Sequence, residues 1–443
     1  MRLHFVALLT VIAASLVLGS CGTSLVSDPL TEKERGASPE GPTSGPDIGA
    51  APGRSSSLRG DPGFDPTQLS SVQRAHYDRL WQEINDPDNH HAIMLLAASD
   101  DLHTYGRALH GYVQSVLTAF RVTGDLALLD HVDNIAQRMR QELRDGWRNT
   151  LDRTDGTRDG YLNWVERSDS TSTHHGKDLM QANDMKTHAL VAMIAYALHN
   201  NRDLTSPNGN DYAAHADFWH NYLVNHFEAK WRQRRDIHSG FPIAIRPFTH
   251  TYYSWTKWHY YMWKLTGDDA YGNEANRMAN ALWSDIRSVS TPNGPTYVWP
   301  RGVLAEGNDH NYLHPTGYAN NVYGDFVTFH LEGFHNWASN DHMQTFARTF
   351  TTFVMDTDDP LRNGFAADIG GASPKAGYHV DPHWPRRSAS AFINYQYALI
   401  SPWDTTHRIA DITQNIQNAY TDRDTTRLAA ALLLNSHLNP TTH

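Results

Sequence analysis

The chain has 443 residues, a formal net charge of −11 at pH 7, 27 histidines and a single cysteine. The acidic balance argues against a nucleic-acid partner, and one cysteine excludes a disulfide within the chain. An anionic ligand would have to be held by local positive charge, because the global field repels it.

Residues 1–20, MRLHFVALLTVIAASLVLGS, join a basic start to an apolar run and small residues, the pattern of a signal peptide. Cys21 closes the stretch LVLGSC, which resembles a bacterial lipobox. That resemblance implies lipidation at Cys21 and, with Gly22 following, sorting to the outer membrane, on either its periplasmic or its outer face. No later apolar stretch is long enough to span a bilayer, so the lipid is the expected membrane contact. Residues 21–64 are rich in Gly, Ser and Pro without periodicity and predict a flexible linker. Residues 65–443 remain as the folded domain, expected to be monomeric.

Helical signals dominate that domain. Asp65 as N-cap with Pro66 behind it predicts a helix over 65–84. TYGRALHGYVQSVLTAFRVTG and DLALLDHVDNIAQRMRQEL predict a helical hairpin over 104–143. A helix over 176–201 carries Met180, Asn183, Thr187, Leu190, Ile194 and Leu198 on one stripe, which places Asn183 on a mainly apolar face. RPFTHTYYSWTKWHYYMWKLTGDD, 246–269, carries eight aromatic rings, and its stripe Ser254, Lys257, Tyr261, Lys264 reads as the solvent or groove side. Gly267 is its C-cap and Asp268 opens the partner helix, matching Gly124 and Asp125 in the earlier hairpin. Two more hairpins are expected at 323–356 and 388–420. Repeated hairpins with the more hydrophobic helix first predict an all-α fold, an α/α toroid with an inner and an outer ring.

The expected long irregular stretches are 145–175, 236–250, 288–317 and 357–387, and they are rich in Trp, His, Arg and Tyr. Loops of that length in a compact domain usually carry function, and an aromatic groove suits a sugar chain. Asn183 with Asp184 and His188 forms one candidate group. Arg246, His250, Tyr253 and Trp255 form a second, and Arg301, His310, Tyr312, His314, Tyr318, Asn320 and Asn321 a third. His310 with His314 is conceivable as a metal pair, yet no HExxH or cysteine pattern accompanies them; no metal or cofactor is expected.

Asn, His, Arg and Tyr without an evident carboxylate pair suit β-elimination from a uronate. Neutral or cationic donors quench the carboxylate charge, a base takes the C5 proton and an acid protonates O4. In residue order and helical pattern, residues 66–443 resemble the toroidal polysaccharide lyases of the alginate, glucuronan and chondroitin lyase type, although QANDMKTH stands where alginate lyases carry adjacent Asn-Asn-His. The resemblance implies a metal-free lyase acting on an anionic polysaccharide. Asn183 and Arg301 would be neutralisers, His250 base or neutraliser, and Tyr312 the acid/base, with Tyr253 and Tyr318 as alternatives. His188, Arg246, Tyr253, Trp255, His310, Tyr318 and Asn321 would contact substrate. Two rivals stand beside it. One is an inverting glycoside hydrolase using carboxylates from Asp184, Glu306, Asp325 and Glu332. The other is a non-catalytic glycan-binding lipoprotein.

Overall fold

The computed structural model describes residues 58–147, 158–167, 175–178, 181–233, 248–303, 308–357, 359–371, 373–380 and 384–440. The chain divides into residues 1–56 and 57–443, and every described residue lies in the second unit. Cys21, Arg246 and Glu306 fall outside the described residues.

The described domain is all-α apart from two short hairpins. Its helices are α1 (Ser71–Asn85), α2 (Pro87–Ala97), α3 (His110–Thr123), α4 (Leu126–Gln141), α5 (Gln181–Asn200), α6 (Tyr212–Tyr222), α7 (Thr249–Thr266), α8 (Asp269–Ser284), α9 (Thr316–Leu331), α10 (Asn340–Thr349), α11 (Arg408–Ala419) and α12 (Thr426–Leu438). Strands β1 (Arg144–Trp147) and β2 (Arg158–Asn163) pair antiparallel, as do β3 (Arg287–Thr291) and β4 (Gly294–Val298).

Two kinds of helix alternate. In α5 every residue from Asn183 to Leu198 is buried, and α3, α7, α9 and α12 are nearly as enclosed. A helix apolar on all sides must have neighbours on all sides. By contrast α8 buries only Gly272, Ala275, Met278, Ala279 and Leu282, a single stripe. The enclosed helices pack in sequence: α3 on α5, α5 on α7, α7 on α9, α9 on the 3-10 segment Tyr397–Trp403, that segment on α12, and α12 back on α3. The one-sided helices pack outside them, α4 on α3, α6 on α5, α8 on α7 and α11 on α12.

The hairpin junctions fold as the sequence predicts. Gly124 and Gly267 sit at φ 73° and 71°, the left-handed region that ends a helix at low cost in glycine. Asp125 and Asp268 then cap α4 and α8, accepting from the amides of Ala127 and Ala270. The first predicted helix divides instead. Asp65 caps a 3-10 turn (Pro66–Gln68), and α1 begins afresh with a Ser70–Gln73 capping box.

Three expectations are corrected. The linker expected to reach residue 64 is docked from Leu58, which is fully buried. Arg59 pairs with Asp203, and the amides of Gly60 and Asp61 donate to Asn201 Oδ1 and the Gly124 carbonyl. The stripe Ser254, Lys257, Tyr261 does not face solvent; all three are buried and only Lys264 is exposed, because α7 is an enclosed helix whose polar stripe finds polar partners on α3 and α9. The helix expected over 388–401 is a four-residue turn (Ala389–Phe392) and the 3-10 segment Tyr397–Trp403. Pro402 lies inside that segment, and Gln396 just before it slots its side chain against Gly111 and Gly324 of two enclosed helices.

Candidate functional site

The amino-terminal end of α7 is fastened to an irregular ladder. Thr249 donates its amide to the Arg301 carbonyl (2.8 Å) and its hydroxyl to the Pro300 carbonyl (2.7 Å). The ladder itself pairs 299–301 with 312–314: the Arg301 amide donates to the Tyr312 carbonyl and the His314 amide to the Trp299 carbonyl. Side chains alternate along a strand, and opposed residues share a face. Trp299, Arg301, Tyr312 and His314 therefore project from one side of it. Pro315 then caps α9, whose first turn carries Tyr318.

From the other side comes a π-helical turn, Tyr105–Leu109, feeding into α3 and carrying Arg107. Such turns are rare and cluster at functional sites. It lies so close to α5 that a Cβ on Gly106 would stand 3.0 Å from the Asn183 carbonyl and 3.1 Å from Lys186 Cβ.

These elements build a layered stack of rings and cations. Tyr318 lies parallel on His250, with ring centroids 4.6 Å apart and planes at 5°. Phe248 stacks on His250 at 5.7 Å, and the Arg301 guanidinium lies 5.9 Å from the Phe248 ring. The Arg107 guanidinium stands 5.4 Å from the Tyr318 ring, and Trp384 meets Tyr318 edge-on at 5.2 Å with Arg387 5.8 Å from the indole. His314 approaches His250 at 5.5 Å.

Several polar atoms of the cluster have no partner among the described residues. Buried His250 makes no side-chain hydrogen bond with the described residues, and buried nitrogens of Arg107, Arg387 and His314 are likewise unsatisfied. Lys186 is only 1 % exposed, and its ammonium has neither ion pair nor hydrogen bond among them. Burial first, then the charges of Arg107 and Lys257 with Asp325 opposing, hold its pKa well below the ordinary lysine value. Burial, reinforced by Lys186, His314, Arg107 and Arg301, keeps His250 far below the ordinary histidine value; burial, Lys186 and Arg301 do the same to His314. Both imidazoles are neutral at ordinary pH. Buried polar atoms without partners among the described residues are thus gathered at one end of α5, α7 and α9, beside the guanidiniums of Arg107 and Arg301.

Of the residues singled out in the sequence, the fold brings together His250, Arg301 and Tyr318. Tyr312 shares the ladder face with Arg301, its ring turned toward His379 at 6.4 Å. Asn183 lies one turn before Lys186 on α5 and donates to Glu166 Oε2 (2.8 Å). His310 bonds the Gly302 carbonyl and meets Tyr378 edge-on. Asn321 is buried on α9 and makes no side-chain hydrogen bond with the cluster. His188, Tyr253 and Trp255 are core. Both nitrogens of His188 are engaged, by the Asp184 carbonyl and Tyr222 hydroxyl, and its ring stacks on Phe227 at 3.8 Å. Tyr253 packs among Phe326, Phe329 and Trp337, and Trp255 against Phe227, Trp258 and His259. All three were expected to touch substrate; the two helices that carry them, α5 and α7, are enclosed at these positions.

The three described carboxylates of the hydrolase alternative, Asp184, Asp325 and Glu332, are paired with cations. Asp184 accepts from Lys230 (2.7 Å), Trp231 (2.7 Å) and Asn163 (3.0 Å); burial pushes its pKa up, but Lys230 and His188 outweigh this and hold it low. Asp325 is paired with Lys257, and Glu332 with Arg121, Tyr260 and Tyr261. Arg107, Lys186, Trp384 and Arg387 escaped the sequence reading. The available signal was a lysine inside an otherwise apolar helix.

Among the described residues no helix is long and apolar enough to cross a membrane. Comparison of the chain with protein-family models, curated proteins and solved structures found no match.

Proposed function

We propose that this protein is a polysaccharide lyase that cleaves a uronate-containing polymer by β-elimination, built on an α/α toroid and held to the outer membrane through lipidated Cys21. The closed order of neighbours among the enclosed helices supports the toroid. One observation carries the chemistry: the buried His250, neutral and stacked on half-buried Tyr318, stands beside buried Lys186 and half-buried Arg107, whose Nε has no partner among the described residues, with Arg301 at the edge of the same stack.

A uronate carboxylate entering the cluster neutralises those cations. Its own charge is thereby quenched, which acidifies the C5 proton, and the neighbouring imidazole becomes a better base as positive charge around it is offset. His250 takes the C5 proton and a tyrosine hydroxyl protonates O4. The C5–H and C4–O4 bonds break, a C4–C5 double bond forms, and no water enters. Tyr318 is the favoured acid because its ring lies on His250; Tyr312 is the alternative, from the ladder face it shares with Arg301. The hydrolase reading loses ground because Asp184, Asp325 and Glu332 are each held by a cation.

The test is incubation of the purified domain with alginate, polyglucuronate and chondroitin while ultraviolet absorbance is followed. A lyase generates a conjugated unsaturated uronate and a rising signal. New reducing ends without absorbance identify a hydrolase, and binding with neither identifies a non-catalytic glycan receptor.

A further inference from the structure

His314 is enclosed completely, yet only one of its nitrogens is used. Its Nδ1 lies 2.9 Å from the indole nitrogen of Trp299. An indole N–H can only donate, so Nδ1 must carry the lone pair, and the neutral ring must hold its proton on Nε2. Nε2 has no partner among the described residues. The imidazole is thus a fixed, uncharged donor with no acceptor among the described residues, 5.5 Å from His250 and near enough to Lys186 and Arg301 for their charges to act on it.

His188 is the contrast within the same molecule. Equally buried, it has both nitrogens bonded and two rings stacked on it. A buried N–H without an acceptor is costly, so such an arrangement is expected where a ligand completes it.

We infer that the Nε2–H of His314 donates a hydrogen bond to an oxygen of the bound uronate's carboxylate, with Trp299 as the positioning residue that fixes the tautomer. This rests on the uronate reading above and adds to it a neutral donor beside the cations. A neutral donor whose proton is locked in place discriminates by geometry: it rejects a sugar with no oxygen at that point, where a cation would tolerate any nearby anion.

The probe is sodium D-glucuronate, with glucose as the uncharged control, on protein labelled with ¹⁵N-histidine. His314 is assigned by its loss in His314→Gln. The free protein should show Nδ1 as an unprotonated nitrogen and Nε2 as protonated, and glucuronate but not glucose should move the Nε2 signal. His314→Gln keeps an N–H at the Nε2 position and should bind glucuronate within about 3-fold of wild type, whereas His314→Asn reaches only the Nδ1 position and should bind about 10- to 100-fold more weakly. Trp299→Phe should broaden the tautomer distribution and shift the pH profile of binding; should it fail to fold, the two His314 variants decide alone. A protonated Nδ1 in the free protein overturns the inference, as does equal binding by the Gln and Asn variants or a His314 signal that glucuronate leaves unmoved. The lyase reading fails separately, if uronate polymers give no unsaturated product while glucuronate still binds at His314.

Discussion

Lys257 and Lys186 are both sealed inside the enclosed helices, and they are in opposite circumstances. Lys257 on α7 is paired with Asp325 of α9 and bonded to His110 of α3, so one ammonium ties three helices together. Lys186 on α5 has no ion pair among the described residues, with Asp325 acting on it only from a distance, and it lies near Arg107, which also has none there. A buried charge whose partners are all protein is part of the scaffold. One without a partner among the described residues is where the proposed ligand would bind. The same division separates Glu332, held by Arg121 and two tyrosine hydroxyls, from His250, whose Nδ1 has no partner among the described residues.

The largest effect expected on the ligand side is at the tyrosine. Tyr318→Phe keeps the stack on His250 and removes one oxygen, and turnover on uronate polymer should fall by about 100- to 10,000-fold while the melting temperature is unchanged. Tyr312→Phe is the paired control. A silent Tyr318→Phe with a dead Tyr312→Phe would transfer the acid role to the ladder.

The lysine pair comes next. Lys186→Met should reduce turnover about 100- to 1,000-fold, as loss of one preorganised donor does, and should leave the fold as stable or more so because the cost of burying an amine with no ion pair among the described residues is relieved. Lys257→Met should act the other way, destabilising by about 3–5 kcal/mol by orphaning Asp325. Thermal melts run beside initial rates on both variants separate the two behaviours, and equal destabilisation would erase the distinction.

Buried neutral histidines make a third comparison, between acid and neutral pH. Burial lowers His103 to about 3, and His131 and His259 to about 4, from an ordinary 6.5. These folded values lie below the unfolded one, so the unfolded chain takes up protons first as pH falls. Their contribution is complete above about pH 6.5 and declines through pH 4 toward 3. Denaturant midpoints should therefore drop steeply across that window; a flat profile would show that those imidazoles are not buried uncharged. The smallest effect is expected outside the domain. Cys21→Ala should release the protein from the membrane fraction with no change in turnover, and continued retention would reject the lipid anchor.

Much of this fold was legible because it is written in local chemistry. Gly124–Asp125 and Gly267–Asp268 punctuate two hairpins in the same way, and the aromatic density of α7 marks a helix mostly buried, although its polar stripe reads in sequence as the solvent or groove side. The 388–401 segment misled because Gln396 and Pro402 interrupt an otherwise helical run for the sake of packing on Gly111 and Gly324, residues far away in sequence. In the site, His250, Arg301 and Tyr318 were readable as polar groups near helix starts and in long loops. Arg107 and Lys186 were not, since a cation on an apolar helix has no local sign of whether Asp325 or nothing awaits it. Tyr253 and Trp255 erred in the opposite direction: aromatic residues beside a site look the same in sequence as aromatic residues in a core.

The central claim is that the cationic cluster supports elimination without water. Digestion of a uronate polymer in heavy-oxygen water, followed by mass spectrometry of the oligosaccharides, tests it directly. The account predicts products that contain no solvent oxygen from the cleavage step and end in an unsaturated uronate. Products gaining one heavy oxygen per cleavage, with saturated ends, would contradict it.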